Sequence, residues 1–362
     1  MAFASELRNC FALLTVVLFI VYVLFVAYRL SLDLRHSQNR TVRVRSVLDA
    51  LCRFPSKFCI DGIISAVPVT SASEKSLKDV VIPYLYNLER QKSVFSSKIL
   101  SEKVPQNCSF CGSYKVAPQY RLATCKIEKS MSSISDAAIC FLINTDAFID
   151  NNKTISQERW CESLCENVNV AESLDSAIRE ADPNGNSTLF TVIRNPFYRF
   201  ISGYIDKCQN ERIWYSDEER CFGCRENLRC ILESIPEALN SFLNKREITS
   251  ATYYYLRHFA PQWWYCELHK NRNLYKVVKY QDGPDARQNF ADAMEALLKS
   301  VGVPGNHRVV IYNEVMNGKM QHSTAGSSQR LAAEHELLSN DYLMWLLVKL
   351  YYNDFLLFYD ID

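Results

Sequence analysis

The chain has 362 residues, 48% of them hydrophobic and 12% aromatic, enough to bury a substantial core without bridges or metals to hold it. Lys and Arg number 41 against 40 for Asp and Glu, so no long-range positive field marks it as a bulk nucleic-acid binder. An anionic ligand is therefore expected on a local cluster of cations, in one large domain with appendages.

Residues 11–28, FALLTVVLFIVYVLFVAY, form a charge-free apolar run long enough to cross a bilayer as a helix. A cleaved signal peptide is the rival reading, but its apolar core is ordinarily shorter and no good small-x-small cleavage site follows. The expected organisation is a cytoplasmic tail over residues 1–10, a transmembrane anchor over 11–28, a stem and irregular region over 29–110, and a lumenal domain over 111–362. Arg29, Arg35, Arg40, Arg43 and Arg45 follow the span while Arg8 precedes it, which by the positive-inside rule alone places the bulk in the cytosol. Four Asn-x-Ser/Thr sequons, at Asn39, Asn107, Asn152 and Asn186, and 14 cysteines outweigh that rule, because long domains translocate despite flanking charge. A single-pass type II protein is expected.

The cysteines include Cys108/Cys111, Cys161/Cys165 and the run Cys208, Cys221, Cys224 and Cys230. The two C-x-x-C pairs lie far outside zinc-ribbon spacing, so disulfides are expected and no metal, with the pairing left open. Cys10 precedes the span, so an odd number of cysteines lies beyond it and at least one thiol is free or intermolecular.

Past the span, Pro55, Pro68, Pro83 and Pro105 punctuate a polar stretch read as stem leading into short helices. Residues 120–127, YRLATCKI, read as a strand entering the polar turn EKSMSS. Residues 132–144 then carry apolar positions at helical spacing, with Ser132 or Ser133 available as cap. The arrangement repeats in TLFTVIR, residues 188–194, a buried strand after which Asn195 caps a helix with Pro196 in its first turn. LYKVVKY, residues 274–280, is a third strand ended by the breaker QDG, and a long helix is expected over roughly 328–350. Together these predict an α/β fold, a P-loop-like parallel sheet flanked by helices on both faces, with ligands at the carboxyl ends of its strands.

Each strand-turn-helix presents backbone N–H groups and a helix N-terminus to an anion. In the first turn, Lys129 adds a point charge and Ser130, Ser132 and Ser133 add hydroxyl donors. In the second, Arg194 ends the strand with a guanidinium able to grip phosphate bidentately, and Ser202 lies eight positions on along the helix. No G-x-x-x-x-G-K-[ST] occurs, which argues against a P-loop phosphotransferase.

The two turns resemble the cofactor motifs of the sulfotransferases that use 3′-phosphoadenosine-5′-phosphosulfate (PAPS). RNPFYRFISGYIDK, residues 194–207, is similar to the R-D-P-F-x-R-x-x-S-x-F-x-D-K pattern of the Golgi membrane-bound, chondroitin-type carbohydrate sulfotransferases. HFAPQWWYC from His258 resembles their H-W-x-P-x-x-x-x-C segment, and YNDFLLFY, residues 352–359, their closing Y-x-x-D-F-x-x-F-x-Y. The resemblance runs from about residue 115 to the end. It implies Lys129 and Ser132 at the 5′ end of PAPS, Arg194 and Ser202 on the 3′-phosphate, and Ser327 and Arg330, in HSTAGSSQR, near the nucleotide. Lys129 would then stabilise the departing bridging oxygen, and His258 would be the base that takes the proton of the sugar hydroxyl. Trp263 and Trp264 are candidates for stacking on sugar faces.

The implied function is transfer of a sulfuryl group to a glycan hydroxyl, chondroitin 4-O-sulfation foremost, in the Golgi lumen. The acceptor glycan is then the partner, with no nucleic acid involved. Two departures stand out: the family's Pro-Lys-x-Gly is Glu128-Lys129-Ser130-Met131, and Asn195 replaces an Asp. Glu128 puts a negative charge near the anion, so in an active enzyme it must point away from the phosphosulfate or be neutralised by a neighbour such as Lys126 or Arg121, and Met131 lacks glycine's backbone freedom. The alternative they leave is a degenerate sulfotransferase fold serving as a lumenal glycan- or partner-binding module.

Overall fold

A computed structural model of the chain describes residues 74–95, 105, 108, 110–156, 164–317 and 326–361. The apolar run 11–28, the sequons Asn39 and Asn107, Cys10, Cys161 and residues 322–325 lie outside them. Among the described residues no helix is long and apolar enough to cross a membrane.

In chain order the elements are α1 (Glu74–Phe95), β1 (Tyr114–Ala117), β2 (Leu122–Cys125), α2 (Ser132–Ile143), α3 (Thr145–Asp150), β3 (Val170–Ala171), α4 (Leu174–Ala181), β4 (Thr188–Arg194) and α5 (Pro196–Gly203). A π-helical segment, Tyr204–Asn210, continues α5. Then come α6 (Leu228–Leu243), α7 (Ser250–Phe259), α8 (Leu268–Asn271), β5 (Tyr275–Tyr280), α9 (Ala286–Ser300), α10 (Gly305–Asn317), α11 (Ser328–Leu338), α12 (Asp341–Leu350) and α13 (Tyr352–Tyr359).

The described strands form one sheet in the order β3-β1-β2-β4-β5. β2, β4 and β5 are parallel, as expected, whereas β1 runs antiparallel to both β2 and β3, so the sheet is mixed rather than parallel throughout. The reason is local: only four residues, the 3₁₀ turn Pro118–Tyr120 and Arg121, join β1 to β2, and a parallel crossover needs a dozen residues or more. β4 is buried on both faces. Leu189 and Ile193 enter one apolar core and Phe190 and Val192 the other, which is why TLFTVIR reads as a continuous apolar run instead of an alternating one.

Helix α1 falls inside the stretch read as stem, yet Leu77, Val81, Leu85 and Leu88, spaced one helical turn apart, enter the larger core. The long closing helix is two, α11 and α12, because Asn340 caps a new start by accepting from the backbone N–H of Tyr342 and Leu343. α2 begins without a serine cap: Met131 occupies that position in a left-handed conformation. Asn195 does cap α5 as expected, accepting from Phe197 N–H at 3.1 Å with Pro196 next.

Among the described residues five disulfides close: Cys108–Cys111, Cys125–Cys266, Cys140–Cys165, Cys208–Cys221 and Cys224–Cys230. Cys221 and Cys224 thus belong to different bridges. Cys125–Cys266, which spans 141 residues, ties the carboxyl end of β2 to the segment after α7. It fixes the two chain regions that frame the site.

Candidate active site

The turns after β2 and β4 lie side by side because the strands are parallel neighbours, with Cys125 in register with Thr191. The Arg194 guanidinium crosses between them, and its Nη1 donates to the carbonyl of Lys129 at 3.2 Å. Gln262, wholly buried, joins both turns. Its Oε1 accepts from Ser130 Oγ at 3.0 Å and from Arg194 N–H at 2.9 Å, while its Nε2 donates to Arg194 C=O at 2.8 Å. Asp354 on α13 holds Gln262 in turn, accepting the N–H of Gln262 at 2.7 Å and of Trp263 at 2.8 Å. Burial pushes the Asp354 carboxyl up to about 6.

In the first turn Lys129 and Met131 both have positive φ, 66° and 58°. Met131 stands where the resembling pattern has glycine, so the conformation glycine favours is kept at a backbone cost of about 1 kcal/mol. Lys129 is paired with Asp206 of the π-helical segment, whose carboxylate also meets Lys207 at 3.2 Å. Lys207 pairs onward with Glu211. Burial lowers the Lys129 pKa against the pull of Asp206. Ser130 is buried on Gln262, Ser132 donates to Glu128 at 3.5 Å, and Ser133 faces solvent. The exposed Ser133 hydroxyl is not drawn into this hydrogen-bonded cluster.

Glu128 is neutralised in part by one of the expected neighbours, since the charge of Lys126 bears on it although Lys126 makes its own ion pair with Asp136. The other, Arg121, pairs instead with Asp182. The direct partner of Glu128 is Arg257, at 2.6 Å. Burial opposes its charge, yet Lys126, His258 and Arg257 outweigh burial and hold the carboxyl well below the usual carboxylate range. Its main-chain carbonyl accepts from Arg199 Nε at 2.8 Å, so the loop is tied down from both sides.

In the second turn Arg194 forms a two-pronged pair with Asp282, its Nε donating at 2.8 Å. Arg330 reaches the same carboxylate at 3.0 Å and Glu334 at 2.7 Å, with its guanidinium 4.8 Å above the Tyr198 ring. Burial works against the Asp282 charge, but Arg194 and Arg330 prevail and keep its pKa low. Ser202 is buried one helical turn beyond Tyr198, on the face of α5 that Arg330 covers. Ser327 caps α11, accepting from Arg330 N–H at 3.1 Å.

His258 ends α7, buried, with Nδ1 2.7 Å from the carbonyl of Tyr254. A carbonyl only accepts, so Nδ1 carries the proton and Nε2 keeps its lone pair. Burial lowers the imidazole pKa well below its ordinary value, and the charges of Glu128, Lys129 and Lys207 all bear on it. It is neutral at pH 7. Trp263 is half-buried, whereas Trp264 is buried in the larger core and is not a sugar platform.

Sequence reasoning passed over Asp206, Gln262, Asp282 and Asp354. The signal was present for three of them, since a carboxylate or amide inside an otherwise apolar segment needs a partner. Asp282 sits in a breaker triplet, where an aspartate is unremarkable. Among the described residues no group of three or more His, Cys, Asp or Glu side chains is arranged to hold a metal.

The sequence model of the sulfotransferase family matches residues 112–360. The chain is 29% identical over 256 residues to the carbohydrate sulfotransferase chst-1 of Caenorhabditis elegans, covering 70% of this chain and 77% of that protein. It is 31% identical over 248 residues to an uncharacterised protein of the same nematode, covering 67% of this chain and 68% of that one. No solved structure matches the chain.

Proposed function

This chain belongs to the sulfotransferase family, and from that premise we propose that it moves the sulfuryl group of PAPS to a carbohydrate hydroxyl. The observation that carries the reading is the placement of two cations, half-buried Lys129 and buried Arg194, on adjacent parallel turns, the Arg194 guanidinium donating to the Lys129 carbonyl. Arg194, with Arg330, is assigned the 3′-phosphate, Ser202 beside them adding a donor and Ser327 holding the start of α11. Lys129, with the Ser130 and Ser132 hydroxyls, is assigned the 5′-phosphosulfate. A phosphate engages these cations by exchanging with Asp282 and Asp206, the carboxylates that hold them without ligand.

In-line attack then needs a base for the sugar hydroxyl and positive charge for the leaving bridging oxygen. His258 Nε2, with its lone pair free while Nδ1–H is anchored on Tyr254, is assigned the proton. Lys129 is assigned the leaving oxygen, where charge grows only in the transition state. Glu128, held by Arg257, is turned from the role of an anion repellent to that of a fixed charge facing the imidazolium.

We further assign a chondroitin-type acceptor, with 4-O-sulfation favoured, and a lumenal domain on a Golgi type II anchor at residues 11–28. The support is the sequence motifs, exposed sequons at Asn152 and Asn186, and disulfide density. Transfer of labelled sulfate from PAPS to a panel of desulfated glycans tests the activity. Titration with 3′,5′-adenosine bisphosphate separates it from a degenerate binding module: micromolar affinity supports the enzyme, and no binding by folded protein overturns it.

A further inference from the structure

Away from the two turns, an open groove of about 480 Å³ is lined by Trp263, His269, Lys270, Arg272, Asn273 and Tyr275, among others. Its volume is in the range of small-ligand sites. The chain turns sharply here, because Cys266 and Glu267 both take left-handed backbone, with φ of 60° and 51°, before α8 begins. Trp263, anchored on Asp354 through its N–H, forms one wall next to the Gln262 that joins the two turns. Tyr275 and Val277, on one face of edge strand β5, form the floor.

The rim is cationic in a protein whose net charge is only +1. Lys270 is exposed and makes no ion pair among the described residues, and Arg272 is 42% exposed, sharing Asp360 with Lys279. A half-buried indole beside the exposed Lys270, the Asp360-paired Arg272 and the Asn273 amide matches one ligand chemistry: a sugar ring with an apolar face, hydroxyls and a nearby carboxylate or sulfate. We propose that this groove is an exosite for an acidic oligosaccharide, holding the acceptor chain at sugars removed from the hydroxyl that is sulfated. The proposal rests on the glycan-acceptor reading above and names the class within it.

The test uses the Lys270→Ala/Arg272→Ala variant, both side chains lying at the surface, and three probes: an unsulfated chondroitin decasaccharide, a neutral chito-oligosaccharide of equal length, and single-stranded poly(U). Calorimetry should show decasaccharide affinity falling at least tenfold in the variant, with 3′,5′-adenosine bisphosphate binding unchanged as the control for folding. In sulfation assays the KM for the decasaccharide should rise at least tenfold at constant kcat. Unchanged decasaccharide binding overturns the exosite. So does equal binding of the neutral chain, or of poly(U), by the unmodified protein, since the groove would then not select an acidic sugar. If no glycan is sulfated by any form, the functional reading fails, and the binding measurement still decides the groove.

Discussion

The turns after β2 and β4 are built to the same plan with different side chains. Each holds two cations against two carboxylates: Lys129 and Lys207 with Asp206 and Glu211 in the first, Arg194 and Arg330 with Asp282 and Glu334 in the second. The second is rigid, since a planar fork meets a carboxylate with two bonds and its partner strand residue Tyr280 lies 5.2 Å beneath the guanidinium. The first is a point charge on a flexible stem, carried by a loop with two left-handed residues and no side-chain cap. A preformed fork suits a phosphate that is the same in substrate and product, and a movable ammonium suits charge that appears only as a bond breaks.

That division of labour can be broken by substitution. Lys129→Ala should reduce kcat by about 10²–10³-fold, the usual loss for a transition-state donor, with 3′,5′-adenosine bisphosphate affinity within about threefold of the parent. Comparable losses in affinity for Lys129→Ala and Arg194→Ala would reject it.

Asp354 reports on the bracket that joins the turns. Its folded pKa, about 6, lies above that of an unfolded aspartate, so the folded state binds this proton more tightly. The stability it contributes is complete below about pH 4 and lost as pH rises through 6, roughly 3 kcal/mol in all. Asp354→Asn should flatten that part of the stability profile, read by denaturant unfolding at pH 4, 5, 6 and 7. An unchanged slope would show that Asp354 does not titrate in this window.

Arg194→Ala should weaken nucleotide binding by about 30–100-fold, equivalent to roughly 2–3 kcal/mol, the worth of a charge-assisted pair. Arg194→Lys, keeping the charge without the fork, should recover only part of this by calorimetry. Full recovery would mean that the second turn is no more specific than the first.

Met131→Gly removes the left-handed strain in the first turn and should stabilise the protein by about 0.5–1 kcal/mol, visible as a raised Tm with activity retained. At the small end, Ser133→Ala should leave both kcat and nucleotide affinity within about twofold, because that hydroxyl faces solvent. A large effect would mean the first turn closes further on its ligand than its resting geometry shows.

Local physics made much of this legible in the sequence. The apolar run 188–194, the Asn195 cap with Pro196, and the strand ended by QDG were determined by neighbouring residues, because burial on both faces and helix capping are short-range demands. Lys129, Arg194 and Arg330 were legible as cations at expected ligand turns. Tertiary structure alone decided their partners. Asp282 lies 88 positions from Arg194 and Asp206 lies 77 from Lys129, and which carboxylate meets which cation depends on how the strands are ordered, not on any local preference. The same holds for Glu128, whose direct ion pair is with Arg257 across 129 positions even though the charge of its near neighbour Lys126 also acts on it. It holds too for Cys125–Cys266 across 141 positions. A sequence sets the chemistry of each group by itself. The buried charges must then find partners in a low-dielectric interior, and only the packed chain decides which ones come within reach.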